Sequence, residues 1–146
     1  MKSLDTNVLL YALNADCAEH ESAHALIESA LQEPHGWIIA DQVYFELYRL
    51  LRNPAVLSAA LCAADAARTV AWYRTRSGWL HCAYEPGMMS RIAPVWAAGS
   101  FSARTTFDLV LAVTLSANGV NEFYTRNLAD FGPFGLFTVR NPIDEE

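Results

Sequence analysis

Cysteine is scarce in this chain. The three cysteines, Cys17, Cys62 and Cys82, are odd in number, lie far apart and form no Cys-x-x-Cys pair. Such a set argues against a disulfide framework and against a cysteine-ligated zinc site. We therefore expect each cysteine to be a small buried apolar residue in a cytoplasmic protein.

Long hydrophobic runs are also missing. No stretch reaches the roughly 20 apolar residues that a membrane helix needs, and the first residues, MKSLDTN, lack the apolar run of a signal peptide. We expect no association with a membrane. A length of 146 residues with 53% hydrophobic content predicts a single domain over residues 1–146 with a full core.

Lysine occurs once, as Lys2, beside nine arginines, and the formal net charge is −6. This balance is unfavourable for a protein that binds phosphates by charge alone. Arginine does contact phosphate through a planar, bidentate fork, although a genome rich in G and C would produce the same preference. The composition therefore permits an enzyme that acts on nucleic acid without indicating one.

Short apolar segments alternate with helical periodicity along the chain. Strands are predicted at residues 2–4, 37–40, 79–84, 122–125 and 136–139, helices at 8–13, 18–32, 41–52 (with Asp41 as N-cap), 58–75, 88–98 and 105–117, and a loop at 126–135. This alternation predicts a parallel sheet flanked by helices. Ligands of such sheets lie beyond the carboxyl ends of the strands, which is where Asp5 and Asn127 fall.

Asp108 lies on a predicted helix that is apolar on nearly every side, between Phe107 and Leu109. A helix of this kind is buried, and an ionised carboxylate is rarely buried without a partner. The alternative is a capping box, Thr105-x-x-Asp108, in which the acid accepts hydrogen bonds from helix amides.

Glu46 and Asp5 raise the same question. Glu46 lies at the edge of the apolar face of its predicted helix, with Arg49 or Arg52 as an alternative partner. Asp5 ends a strand, and its alternative role is the N-cap of the next helix. Three acids at risk of burial repel one another unless a cation lies among them. Carboxylate oxygens suit Mg²⁺ and Mn²⁺, which activate water for in-line attack on a phosphodiester.

Four segments occur in the order and spacing of a PIN domain: LDTNVLLYAL, VYFELYRLLRNPAV, FDLVLAVTLSANGV and YTRNLADFGPFG. Over residues 2–142, and most weakly over 57–100, the chain resembles the VapC toxins of bacterial VapBC toxin–antitoxin pairs. The resemblance implies a three-layer α/β/α fold with a central, mainly parallel sheet. It also implies a divalent-metal-dependent endoribonuclease that leaves 5′-phosphate and 3′-hydroxyl ends.

The resemblance assigns roles to individual residues. Asp5, Glu46 and Asp108 match the family's three acids, which hold Mg²⁺ or Mn²⁺ and carry catalysis. Further matched positions brace the first acid or open the fourth motif: Thr6, Asn7 and Thr125. Asn127 stands where many relatives have a fourth Asp, so a tightly held second metal is in question, and Asp130 is the nearest remaining acid that would serve as ligand or brace.

The resemblance also implies partners. These are an RNA substrate, a cognate VapB-like antitoxin that inserts a basic segment near the acids, and a second copy of the chain in a homodimer. By their sequence positions, Arg104 and Arg126 are the arginines best placed to receive RNA phosphates. For Arg126, pairing with Asp130 is an equal alternative.

A different motif is present as well. His20-Glu21-Ser22-Ala23-His24 matches the H-E-x-x-H pattern of zinc proteases on a predicted helix. A protease would leave Asp5 and Asp108 without a use, and we expect His20 and His24 to cover the edge of the core instead. A further alternative is a PIN scaffold that binds RNA or a protein without cutting.

Overall fold

The computed structural model of the chain describes residues 1–144. Within these residues five strands are formed: β1 Lys2–Leu4, β2 Ile38–Ala40, β3 Leu80–Cys82, β4 Glu122–Tyr124 and β5 Thr138–Arg140. The helices are α1 Thr6–Leu13, α2 His20–Gln32, α3 Asp41–Leu51, α4 Ala63–Arg76, α5 Met89–Ala98, α6 Thr106–Ala117 and α7 Leu128–Phe131. None of the described helices is long and apolar enough to cross a membrane.

The strands form a parallel arrangement in the order β3-β2-β1-β4-β5. β1, β4 and β5 pair in one sheet and β2 and β3 in another, all in parallel. A parallel bridge between Lys2 and Trp37 joins the two sheets at β1 and β2. The predicted mainly parallel sheet is thus confirmed.

The order of the strands reverses between β1 and β4. From β1 the chain adds β2 and β3 on one side, and later β4 and β5 on the other. In open parallel sheets this reversal leaves a crevice beyond the carboxyl ends of the two strands, where ligands bind. Asp5 follows β1 there and Thr125 follows β4, and the Asp5 amide donates to the carbonyl of Tyr124 at 2.9 Å.

Helices cover both faces of the strands. α1 packs on α2 and α3, and α3 packs on α4, whereas α6 contacts β2 and packs with α5 and α7. Burial of all three β2 residues requires cover on both faces, since alternate side chains point to opposite sides of a strand. The predicted three-layer α/β/α fold is confirmed.

Two predicted segments differ from the structure. The loop predicted at 126–135 contains α7, because Phe131 is buried against Phe123 with ring centroids 4.8 Å apart and this contact anchors a helical turn. The helix predicted from residue 58 begins only at Ala63, since Leu57 is drawn into the core and the Leu61 amide donates to the Leu51 carbonyl.

Three smaller expectations also change. Asp41 is the first residue of α3, whose N-cap is Ala40, because the Asp41 carboxylate pairs with Arg74 and not with the helix amides. Cys62 is exposed, and the other two cysteines are only partly buried, so the expectation of burial is wrong. All three thiols are free, as the sequence predicts.

Candidate active site

Asp5 lies in the crevice between β1 and β4 with both carboxylate oxygens engaged. Oδ1 accepts from the Thr6 amide at 2.8 Å, which makes Asp5 the N-cap of α1. Oδ2 accepts from the Thr125 hydroxyl at 2.7 Å and from Asn7 Nδ2 at 3.1 Å. The residue is 7% exposed. Neutral donors therefore hold the Asp5 carboxylate in place without supplying positive charge.

Burial dominates the ionisation of Asp5. It raises the pKa of the Asp5 carboxyl to about 7, since an anion is poorly solvated there, and the bonds from Thr125 and Thr6 lower that pKa only in part. The negative charges of Glu46 and Asp108 raise it further. The three acids thus interact unfavourably across a shared space.

Glu46 projects from α3 at the edge of its apolar face. The Thr6 hydroxyl donates to Glu46 Oε2 at 3.1 Å, so the residue after Asp5 connects the first two acids. Arg49, one turn further along α3, lies 3.8 Å from Glu46 Oε1. At this distance and exposure the ion pair is weak, and Glu46 stays available to the crevice.

Asp108 lies in the first turn of α6 and is half-buried. Burial raises the pKa of its carboxyl, the charges of Asp130 and Glu46 add to that effect, and Arg104 opposes it. The capping box is not formed, because the Thr105 hydroxyl donates to the carbonyl of Ser102 and makes no bond to the helix amides. The expectation that the helix carrying Asp108 is buried is wrong at this turn, where Phe107 is exposed and Asp108 is only half-buried.

One cavity joins the three acids. Its volume is about 510 Å³, and it is lined by Asp5, Gln42, Phe45, Glu46, Arg49, Phe107, Asp108 and Leu111. Within residues 1–144, however, no three His, Cys, Asp or Glu side chains are gathered closely enough to form a ready ligand set for an ion. The three acids line the same cavity but are too far apart to form a preassembled metal site.

The residues present nevertheless fit a divalent cation. The cavity presents carboxylate oxygens, the donor type that Mg²⁺ and Mn²⁺ prefer. Asp5 is held by bonds that orient its oxygens, and its ionisation is disfavoured by burial and by two like charges. A divalent cation at this position would remove that penalty.

The positions expected to brace Asp5 form one hydrogen-bonded group. Asn7 Nδ2 reaches both Asp5 and the Thr125 hydroxyl, the latter at 3.3 Å. Thr125 Oγ1 in turn accepts from the Asn127 amide at 3.0 Å. The carboxyl ends of β1 and β4 are therefore linked through Asp5, and Asn127 contacts this group through its backbone.

Asp130 does not line the cavity of the three acids, although its charge acts on Asp108. It accepts two bonds from Arg104, at 3.0 and 2.6 Å, in a bidentate pair. This pairing lowers the pKa of the Asp130 carboxyl. A ligand role for Asp130 would require that pair to open.

The two arginines expected to bind phosphate are both engaged. Arg104 holds Asp130, and Arg126 pairs with Glu19 and lies 5.9 Å from the ring of Tyr11. The alternative pairing of Arg126 with Asp130 is not formed, since Arg104 contacts both carboxylate oxygens of Asp130 and Arg126 pairs with Glu19. In the folded chain the arginine that lines the cavity is Arg49.

Five further cavity residues were not predicted from the sequence as site residues: Gln42, Phe45, Arg49, Phe107 and Leu111. Phe45 directly precedes Glu46 on α3, and Phe107 directly precedes Asp108 on α6. Gln42 Nε2 donates to the carbonyl of Phe107 at 3.0 Å and ties the two helices together. Both phenylalanines could have been predicted as site residues from their position next to Glu46 and Asp108 in the sequence. The same holds for Arg49, which lies one helical turn after Glu46.

The H-E-x-x-H residues do not form a metal site. Nδ1 of His20 lies 3.0 Å from the carbonyl of Tyr11, and Nδ1 of His24 lies 3.8 Å from Glu28. Glu21 is exposed on α2. Glu46, which could have served as a third zinc ligand after His24, lines the cavity with Asp5 instead.

The chain is similar to named proteins over its full length. No protein-family model matches it. It is 39% identical over 147 residues to Ribonuclease VapC24 of Mycobacterium tuberculosis. The alignment covers 100% of this chain and 99% of the relative.

Solved structures share the fold. VapC20 of M. tuberculosis, a Sarcin-Ricin loop cleaving toxin, superposes with a TM-score of 0.73 at 19% identity, over 96% of this chain and 99% of VapC20. VapBC2 of Rickettsia felis, solved with a promoter DNA fragment, gives 0.66 at 16% identity, over 96% of this chain and 97% of the matched chain.

Proposed function

Because this chain belongs to the VapC ribonuclease family, we propose that it is a single-domain, metal-dependent endoribonuclease in which Asp5, Glu46 and Asp108 hold Mg²⁺ or Mn²⁺. The observation that carries the proposal is Asp5, a buried carboxylate held by neutral donors. It faces a cavity that two further acids share. The N-cap role of Asp5 accounts for one carboxylate oxygen, but it does not account for a buried acid whose ionisation is disfavoured by two further acids.

The reaction is hydrolysis of an RNA phosphodiester. The oxygen of water bonds to phosphorus as the bond to the 3′ oxygen breaks, and the 3′ oxygen takes up a proton, which leaves a 5′-phosphate and a 3′-hydroxyl. A bound divalent ion supplies Lewis acidity and a more acidic water. The chain orients Asp5 through Thr6 and Thr125, and orients Glu46 through the Thr6 hydroxyl.

A single tightly held ion suits these residues better than two. Asn127 offers a neutral oxygen where a fourth carboxylate would add charge, and Asp130 is neutralised by Arg104. Both positions therefore act as supports of the loop after β4.

RNA phosphates approach from the open side of the cavity. Arg49 lines that side, is 70% exposed and holds Glu46 only loosely. Arg104 and Arg126 contribute once RNA replaces their carboxylate partners, Asp130 and Glu19. Arg104→Ala should therefore raise the Kd for RNA, as measured by fluorescence anisotropy, whereas unchanged binding would leave Arg104 a loop support only.

A VapB-like antitoxin is the partner that this site favours. A chain of VapBC2 from R. felis and a chain of a toxin–antitoxin complex from Klebsiella pneumoniae share the fold. A cavity lined by three carboxylates and one arginine carries excess negative charge and attracts cations, so an antitoxin arginine placed near Asp5, Glu46 and Asp108 would compete with metal and RNA together.

We further propose a homodimer in the cytoplasm, where the RNA substrate is. Met89 and Trp96 on α5 are each 41% exposed and are available for an apolar contact between copies. The nearby apolar residues Met88 and Phe101 are less available for this contact, because Met88 is buried and Phe101 packs on Phe134. Sedimentation should give twice the mass of the chain, and a single-chain mass would contradict the dimer.

Growth arrest on expression tests the toxin and the nuclease together. Cells that express the chain alone should stop growing, and co-expression of the cognate antitoxin should rescue them. Asp5→Ala should abolish the arrest. Glu21→Ala, which removes an exposed acid outside the cavity, is the matched control and should arrest growth fully. Full arrest by Asp5→Ala would refute the nuclease mechanism and favour a scaffold that binds without cutting.

A further inference from the structure

Two phenylalanine rings at the cavity of the three acids stand in solvent. Phe45 is 73% exposed and Phe107 is 74% exposed, whereas the other exposed large apolar side chains within residues 1–144 lie between 36% and 50%. Single exposed apolar residues are ordinary. Here two strongly exposed rings line one cavity, and each is adjacent in sequence to a proposed metal ligand. This arrangement suggests that a ligand covers the rings when it binds.

The two rings have fixed positions relative to the acids. Phe45 precedes Glu46 on α3, and Phe107 precedes Asp108 on α6, so each helix presents a ring and a carboxylate to the same cavity. The bond from Gln42 Nε2 to the carbonyl of Phe107 connects α3 and α6 at this point. A phosphate near the acids therefore has an aromatic face available on either helix.

Charge supplies only part of the RNA affinity expected at this site, where Arg49 is the arginine that lines the cavity. Net charge is −6, and Arg104 and Arg126 are paired with Asp130 and Glu19. RNA bound here needs a source of affinity that does not depend on phosphate contacts. Stacking of bases on aromatic rings is such a source, because every base has a π-face that can cover an apolar ring.

We propose, resting on the ribonuclease function above, that Phe45 and Phe107 stack on unpaired bases flanking the scissile phosphate. Bases that stack in this way must be unpaired and splayed at the cleavage point. In a paired A-form helix the base faces are covered by their neighbours and cannot reach a protein ring. The two rings thus select RNA by its lack of structure at the cleavage point.

Binding of a fluorescent RNA tests the stacking directly. The probe is a pool of unstructured oligoribonucleotides that carry a fluorescent adenine analogue, alone or annealed to their complements. Titration without divalent ions gives Kd, and cleavage in Mn²⁺ gives KM and kcat. The variants are Phe45→Ala, Phe107→Ala, Phe107→Trp, which keeps an aromatic face, and Phe107→Leu, which keeps apolar bulk without one. Trp72→Ala removes an aromatic side chain that is 47% exposed outside the cavity and is the matched control.

Each alanine variant should raise Kd and KM for the single strands about tenfold and reduce the quenching of the analogue. Phe107→Trp should bind like wild type, Phe107→Leu like Phe107→Ala, and Trp72→Ala like wild type. The annealed RNA should bind weakly to all of them.

Three outcomes would overturn the proposal. The first is that the wild type cuts RNA and that Phe45→Ala and Phe107→Ala show the same Kd and KM as the wild type. The second is an alanine variant that keeps these values but loses affinity for the antitoxin, which would assign the rings to a protein contact. The third is a wild type that neither cuts nor binds RNA, which would refute the ribonuclease function itself.

Discussion

The stability of the metal-free protein should fall as pH rises, because Asp5 must ionise in a buried site. Folding raises the pKa of its carboxyl from 3.8 to about 7, mainly through burial and with smaller effects of Glu46 and Asp108. Between these values the folded state holds a proton that the unfolded state has lost. The contribution of Asp5 is therefore fully present below pH 3.8 and is lost as pH rises through about 7.

The size of this loss follows from the two pKa values. Each pH unit over which the folded state alone is protonated is equivalent to about 1.4 kcal/mol. The whole window from 3.8 to about 7 corresponds to roughly 4 kcal/mol. Of this, about 3 kcal/mol is lost between pH 5 and pH 8. Domains of this size are stable by about 5–15 kcal/mol in total, so the effect is large enough to measure.

Urea denaturation of wild type and Asp5→Asn, from pH 5 to pH 8 with a chelator present, isolates the effect. Asparagine cannot ionise, so the variant lacks the Asp5 contribution, and groups elsewhere in the chain cancel in the difference. In this variant the new side-chain Nδ2 at position 5 would face the Nδ2 donor of Asn7. The resulting loss of a hydrogen bond lowers the free energy of unfolding by an amount that does not depend on pH.

The free energy of unfolding of wild type should fall by about 3 kcal/mol relative to Asp5→Asn over this range. Saturating Mn²⁺ at pH 8 should restore the wild type and leave the variant unchanged. A difference that stays constant from pH 5 to pH 8 would refute the reasoning, since it would mean that the Asp5 carboxylate is solvated in the folded protein.

Three further outcomes are expected. Mn²⁺ or Mg²⁺ should raise the melting temperature of wild type by mass action and that of Asp108→Asn by less, and equal shifts in the two proteins would argue against Asp108 as a ligand. Changing His20 and His24 together to Gln should leave RNA cleavage within a few-fold of wild type, whereas stoichiometric zinc that this variant loses would support a protease. Phe131→Ala should lower the free energy of unfolding in urea by about 3–5 kcal/mol, because the ring is 1% exposed and packs on Phe123; a loss below about 1 kcal/mol would show that α7 is not anchored by this contact.

Most of the fold follows from local patterns. The strands and the larger helices lie where period and turn residues predict them, because a buried face imposes its spacing on each segment. The failures are segments whose state depends on distant partners. Leu57 and Phe131 are held by core contacts that composition within 57–62 and 126–135 does not encode.

The acids of the candidate site were also predictable, each for a local reason. Asp5 follows a strand, Glu46 borders an apolar helix face and Asp108 interrupts an apolar run. That they meet in one cavity requires the parallel order β3-β2-β1-β4-β5, which brings the end of β1 beside the end of β4 and places α3 and α6 around it.

The sequence by itself determined which segments become strands and helices, which family the chain resembles, and which carboxylates need an explanation. Only the tertiary structure decided which charged side chains of the site pair with one another and which side chains stay exposed. Arg104 meets Asp130 across 26 positions and Arg126 meets Glu19 across 107, while Arg49 and the rings of Phe45 and Phe107 are left facing the cavity. The physical reason is that ion pairs, desolvation and exposure depend on distances between side chains that are remote in the chain, and local periodicity carries no information about those distances.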